Sequence, residues 1–153
     1  MLAASLSPSV VAGDHPRFFA FSAGVHNTNR STDFESGIEY RGPTFRWGLQ
    51  AAAGFMVTAE TTGYVYGGLR RDFDFGTHRW GIALSFGAGL YHPGDGKDLG
   101  GPVNFRSGFE LYRRFDAPSR LGLVFYHLSH AGIYENNPGV NSLVLSYGLA
   151  LGR

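Results

Sequence analysis

The chain has 153 residues, enough for one domain, with 23 Gly, 13 Phe, 8 Tyr and only 16% charged side chains. A net charge of +1 gives no reason to expect a nucleic-acid partner, and the absence of cysteine excludes a disulfide framework and thiolate metal sites. No apolar run approaches the about 18 residues of a transmembrane helix, while a mean hydropathy of −0.11 beside so many aromatics points to short amphipathic strands.

Met1 to Ala12 is apolar and rich in small residues, and Val10 and Ala12 occupy the two small positions that signal peptidase reads. A basic start is missing. The segment 1–12 reads as a partial export signal, with a disordered tail as the other reading, and residues 13–153 read as the folded unit.

From there the period is two. In 17–27, Phe19, Phe21, Ala23 and Val25 oppose Ala20, Ser22, Gly24 and His26. The short run 35–42 sets Ile38 and Tyr40 against Glu39 and Arg41. In 44–58, Phe45, Trp47, Leu49, Ala51, Ala53, Phe55 and Val57 oppose Thr44, Arg46, Gly48, Gln50 and Gly54, which leaves Pro43 as the connection. In 63–75, Val65, Leu69 and Phe73 stand against Tyr64, Tyr66, Arg70 and Asp72. In 79–91, Trp80, Ile82, Leu84, Phe86 and Leu90 oppose a row of small residues. In 102–115, Val103, Phe105, Phe109 and Leu111 oppose Asn104, Arg106, Glu110 and Arg114. The runs 119–130 and 141–152 complete eight predicted strands.

Several of these exceed the about 5–6 residues of soluble strands and suit tilted bilayer strands of about 9–11. The longer connections fall after strands one, three, five and seven, as outer loops do, and the short ones between them, as periplasmic turns do. Both termini then lie in the periplasm. A soluble lipocalin-like barrel would put its apolar row inside. Here the second row is Gly, Ala, Ser and interleaved Arg, Glu and Asp, which fits a narrow polar lumen. Arg106, Glu110 and Arg114 are expected to pair there with Glu39, Arg46, Arg70 or Asp72. The expected fold is therefore all-β, an eight-stranded antiparallel transmembrane barrel. Trp47, Trp80, Tyr91, Tyr126 and Tyr147 are expected in its interfacial belts.

One pair of residues breaks the apolar row. On strand seven, Leu121, Leu123, Phe125, His127 and Ser129 share a face, so a serine and a histidine one strand repeat apart look out towards lipid near the outer loops. Polar groups there are unfavourable unless they serve something, and Ser beside His is a nucleophile with its base. Tolerated polar residues at a strand end are the bland alternative. A metal reading of His127 and His130 fails on parity, since the two point to opposite faces and no carboxylate completes a set. Asn141 opens strand eight on the parity of Leu143, near His127 across the hairpin, where it would orient the imidazole.

His127-x-Ser129-x-Ala131-Gly132, followed by Asn137-Pro138-Gly139-Val140-Asn141-Ser142, resembles the C-terminal signature of the PagL family, the outer-membrane lipid A 3-O-deacylases. Asp98-Leu99-Gly100 and Asn104-Phe105 look like the same family's entrance to strand six. The resemblance implies an outer-membrane enzyme of Gram-negative cells that hydrolyses the ester-linked 3-O-acyl chain of lipid A, with lipopolysaccharide as substrate and the bilayer as surroundings. Such hydrolysis needs no metal or cofactor, and a homodimer is compatible with the pattern. Carried over, Ser129 is the nucleophile and His127 the base, while Asn137 and the amide of Gly132 hold the oxyanion. Two positions depart from the family: Asn141 stands where its best-known form has Glu, and His130 follows the serine where Asn is usual. Glu135 is another carboxylate of the same loop. Phe105 is either a wall of the acyl groove or one more lipid-facing side chain. Arg30 and Lys97 are outer-loop cations that would meet lipid A phosphates or simply be solvated. A weak or altered-substrate esterase and a structural or lipid-binding barrel that has lost its chemistry stay open beside the deacylase.

Overall fold

A computed structural model describes residues 17–28, 31–75, 79–116 and 118–152, so the segment read as a signal lies outside the described residues. Eight strands follow in order: β1 (Phe18–His26), β2 (Asp33–Thr44), β3 (Leu49–Thr58), β4 (Gly63–Phe75), β5 (Trp80–His92), β6 (Val103–Arg114), β7 (Ser119–Ser129) and β8 (Val140–Ala150). Each pairs antiparallel with the next, and β1 pairs with β8, so the sheet closes on itself and keeps no edge.

The alternation sorts the two faces as the sequence implies. Phe21, Phe55, Phe86, Leu123, Leu145 and their neighbours are exposed on the outer wall, while Glu39, Arg41, Arg70, Glu110 and Arg120 are buried inside. Charges within and a continuous apolar surface without make sense only if hydrocarbon surrounds the wall. The lumen is a packed plug. Arg70 meets Asp72 and Glu110, each at 2.9 Å. Arg120 lies 2.6 Å from Asp72 and 2.9 Å from Glu110, and Arg41 lies 2.7 Å from Glu39. Arg106 sits between the rings of Tyr126 and Tyr66, 4.2 and 4.8 Å from their centroids. Removing one partner from such a buried set strands a charge, at a cost of about 3–5 kcal/mol.

Three sequence expectations need correction. Pro43 is not the connection between strands two and three. β2 runs on to Thr44 with a register shift between Arg41 and Thr44, where a residue lacking an N–H disturbs the ladder least. The chain reverses at Phe45–Gly48, closed by Gly48 N–H donating to Phe45 O at 3.2 Å, with Trp47 at φ +61° and Gly48 at φ +73°. Phe45 and Trp47 thus belong to a turn that merely continues the outward row. Arg46 is on that turn and exposed, so Arg41 and Arg120 take its expected place in the lumen. Tyr91 and Tyr126 are buried and face inward, where Tyr91 Oη donates to Lys97 O at 2.7 Å. Among the five aromatics expected in belts, only Trp47, Trp80 and Tyr147 are on the outer surface.

Candidate active site

β7 and β8 carry the polar interruption of the outer wall. Their register sets His127 opposite Asn141, and on the other side β6 sets Ser107 opposite His127 and Phe105 opposite Ser129. Register alone therefore gathers side chains that the sequence holds 24 positions apart (129 − 105). His127, Ser129 and Asn141 are half-buried, neither sealed in protein nor fully open. His127 Nδ1 and Asn141 Oδ1 are 2.6 Å apart. With the amide oxygen towards it, a neutral imidazole carries its proton on Nδ1, which leaves Nε2 as the basic nitrogen. Along the strand, Ser129 follows at about 6.6 Å between Cα atoms. Phe105 stacks on Phe86 with centroids 6.0 Å apart, an aromatic ledge beside the serine.

Glycine holds the imidazole from the loop side. Gly139 has φ +55°, and a methyl group on it would lie 2.7 Å from His127 Cε1 and 3.1 Å from Nε2. Backbone thus approaches the ring more closely than any side chain allows. The Gly139 carbonyl in turn accepts from Lys97 Nζ at 2.6 Å, so this outer-loop lysine braces the site. Arg30 lies outside the described residues.

The loop after Ser129 begins with a tight turn. Ala131 and Gly132 have φ +52° and +81°, and Ile133 N–H donates to His130 O at 3.1 Å. The space around Gly132 is open. His130 points inward, away from Ser129, and is fully buried. Its backbone N–H donates to Asn137 Oδ1 at 3.2 Å, its Nε2 meets the Asn136 carbonyl, and its Nδ1 accepts from Tyr134 N–H at 3.3 Å. His130 is thus an internal brace of the loop. The bond it makes uses the oxygen of the Asn137 amide and leaves the Nδ2 group of that exposed side chain as a donor. Glu135 is exposed on the same loop, and Asn141, not Glu135, stands on Nδ1 of His127.

Lys97, Tyr134 and Gly139 carry much of this geometry, and sequence reasoning assigned none of them that work. The Tyr134 ring lies against Gly101, where an added methyl would come within 2.2 Å, and its hydroxyl accepts from Val103 N–H at 3.2 Å. Only Gly139 left a readable trace, as glycine after proline at a turn.

A barrel with an apolar wall, a charged plug and a histidine–serine pair set into that wall defines a class: integral outer-membrane proteins whose polar groups are offered to lipid. The family model for lipid A 3-O-deacylase (PagL) matches residues 33–150, and the chain belongs to that family. Among solved structures, the outer-membrane enzyme PagL superposes with a TM-score of 0.70 at 18% identity, over 88% of this chain and 99% of that one. Neisserial surface protein A superposes at 0.64 with 10% identity, over 88% of this chain and 96% of the other. A de novo designed transmembrane β-barrel superposes at 0.61 with 8% identity, over 90% and 97%. These likenesses establish the fold; no curated protein matches significantly. The protein is an outer-membrane barrel of the lipid A deacylase family.

Proposed function

We propose that this barrel removes the ester-linked 3-O-acyl chain of lipid A by a serine-esterase mechanism, with Ser129 as nucleophile, His127 as base and Asn141 as the group that orients His127. The observation that carries the reading is the 2.6 Å contact from His127 Nδ1 to Asn141 Oδ1 on the wall that also bears Ser129. It leaves Nε2 free to take the Ser129 proton as Oγ attacks the acyl carbonyl. The tetrahedral oxyanion is met by Asn137 Nδ2 and the Gly132 amide, donors on the open side of the loop. Collapse breaks the ester bond, and His127 returns its proton to the departing 3-oxygen of the sugar. Water then attacks the acyl-Ser129 ester, again deprotonated by His127, and a free fatty acid leaves. Phe105 and Phe86 lie where the acyl chain would run.

Asn141 supplies orientation without charge, so the imidazolium formed in each step lacks the anion that Glu supplies in the family's best-known form. In serine proteases an Asp-to-Asn change costs about 10⁴ in turnover, largely through the wrong tautomer. Here the amide oxygen faces Nδ1, which supports the productive tautomer and leaves only the missing charge. The same substitution favours a second reading, a lipid-binding barrel with little turnover.

Mass spectrometry of lipid A from a Gram-negative host expressing the chain separates the two. Loss of one hydroxyacyl mass with the wild type, and none with Ser129→Ala, is expected. Unchanged lipid A in both, with the barrel folded in the outer membrane, leaves the binding reading.

A further inference from the structure

The rim opposite the active site has a chemistry of its own. Arg71 lies on the lipid-facing row of β4, between Leu49 and Leu84 in register, where a charge is tolerated only at the headgroup level. Its guanidinium is 5.0 Å from the centroid of Phe73. It also lies against the β2–β3 turn, since a methyl group on Gly48 would be 3.6 Å from Arg71 Nε. On that turn, the Arg46 guanidinium is 5.4 Å from the centroid of Trp47. Trp47 itself is held at φ +61°, unusual for a bulky side chain, and at 74% is the most exposed large hydrophobic among the described residues.

Charge balance points the same way. Among the described residues, neither Arg46 nor Arg71 forms an ion pair with a carboxylate. Asp72 and Asp74 of the same strand as Arg71 face inward and are occupied by Arg70, Arg114 and Arg120. Asp116 is at the separate β6–β7 turn, 3.1 Å from Arg79. The outer end, by contrast, holds Asp33, Glu60, Asp95, Asp98 and Glu135. A planar guanidinium offers a fork of donors matched to phosphate oxygens, and an exposed tryptophan beside it fits the glycerol and ester level of a leaflet.

We propose that Arg46, Arg71 and Trp47 form a binding site for the phosphate headgroup of an anionic glycerophospholipid in the periplasmic leaflet. The site rests on the orientation that puts the short turns in the periplasm, and not on whether Ser129 turns over. The bound lipid fastens the rim that anchors the barrel while the opposite rim works on the outer leaflet.

The sequence has two tryptophans, so Trp80→Phe leaves Trp47 as the only one. The full barrel carrying that change is folded into phosphatidylcholine vesicles containing acyl-brominated phosphatidylglycerol or, in parallel, acyl-brominated phosphatidylcholine at equal mole fraction. Quenching of Trp47 is expected to report a relative association at least about fivefold higher for the anionic lipid. Adding Arg46→Gln with Arg71→Gln is expected to bring that ratio to about one, and Arg79→Gln to leave it unchanged. Heat-dependent gel mobility checks that each barrel is folded. Equal quenching by the two lipids before any arginine is changed overturns the proposal, and so does a preference that survives the double arginine change.

Discussion

Two clusters built around a serine and a histidine lie on opposite faces of the barrel wall, one inside across β1, β2 and β8 and one outside across β7 and β8. Inside, His26 Nδ1 is 2.9 Å from Ser142 Oγ and 3.3 Å from Glu35 Oε2, so a serine, a histidine and a carboxylate are all present. Yet these three are 2%, 0% and 1% exposed in the order His26, Ser142, Glu35, and nothing the size of a lipid reaches them. Outside, Asn141, one residue before Ser142 on β8, joins His127 and Ser129 of β7 in a set that lacks the carboxylate and faces the membrane. A complete set of residue types cannot act as a catalyst without access to a substrate. The buried set ties β1 to β8 and β2 from inside the barrel, through His26 to Ser142 and to Glu35. The half-buried set is left with one polar partner on the imidazole, and its geometry is supplied by backbone instead.

That contrast can be broken most sharply at the backbone. Gly139→Ala places a methyl group 2.7 Å from His127 Cε1 at a φ that disfavours any side chain, so the imidazole must move. Displacing a catalytic group by an ångström costs about a hundredfold in rate, and deacylation of purified lipid A is expected to fall by about that factor with the barrel still folded. Asn141→Glu tests the missing charge. A charge-assisted hydrogen bond is stronger than a neutral one by about 1–1.5 kcal/mol, so turnover is expected to rise about tenfold, as kcat more than KM. No change would mean that the imidazolium is stabilised from elsewhere. Ser142→Ala is the smallest effect and the cleanest control. It removes the hydroxyl beside His26, and is expected to lower the urea midpoint by the equivalent of about 1 kcal/mol while deacylation stays within about twofold. Lost activity on a scale with Ser129→Ala would place chemistry inside the barrel and undo the comparison.

The strand count and the inward and outward rows were readable because the side-chain period of a strand is two and needs no partner to express itself. The β2–β3 boundary was misread for a related reason. Phe45 and Trp47 keep the alternation going through a turn, and Pro43 looks like a stop where the sheet instead absorbs it as an irregularity. At the site, parity put His127 and Ser129 on one face, and hairpin pairing brought Asn141 to them. The inward bracing by His130 was not legible, because its partners, the backbone of Tyr134 and Asn136 and the side-chain oxygen of Asn137, are set by the path of the loop. Tyr91 and Tyr126 look like belt residues in a sequence, since tyrosine suits both an interface and a satisfied interior.

Alone, the sequence determined the alternation that sorts most side chains between lipid and lumen, because that choice is made residue by residue along each strand. It also determined that a serine and a histidine share the lipid-facing row. Only the closed barrel decided which charges neutralise one another and which loops touch. Closure of β1 on β8 sets the register of every strand, and it brings Lys97 to Gly139 across 42 residues of chain and Arg70 to Glu110 across 40. Contacts of that range depend on where strands end and loops fold back, which no local pattern encodes.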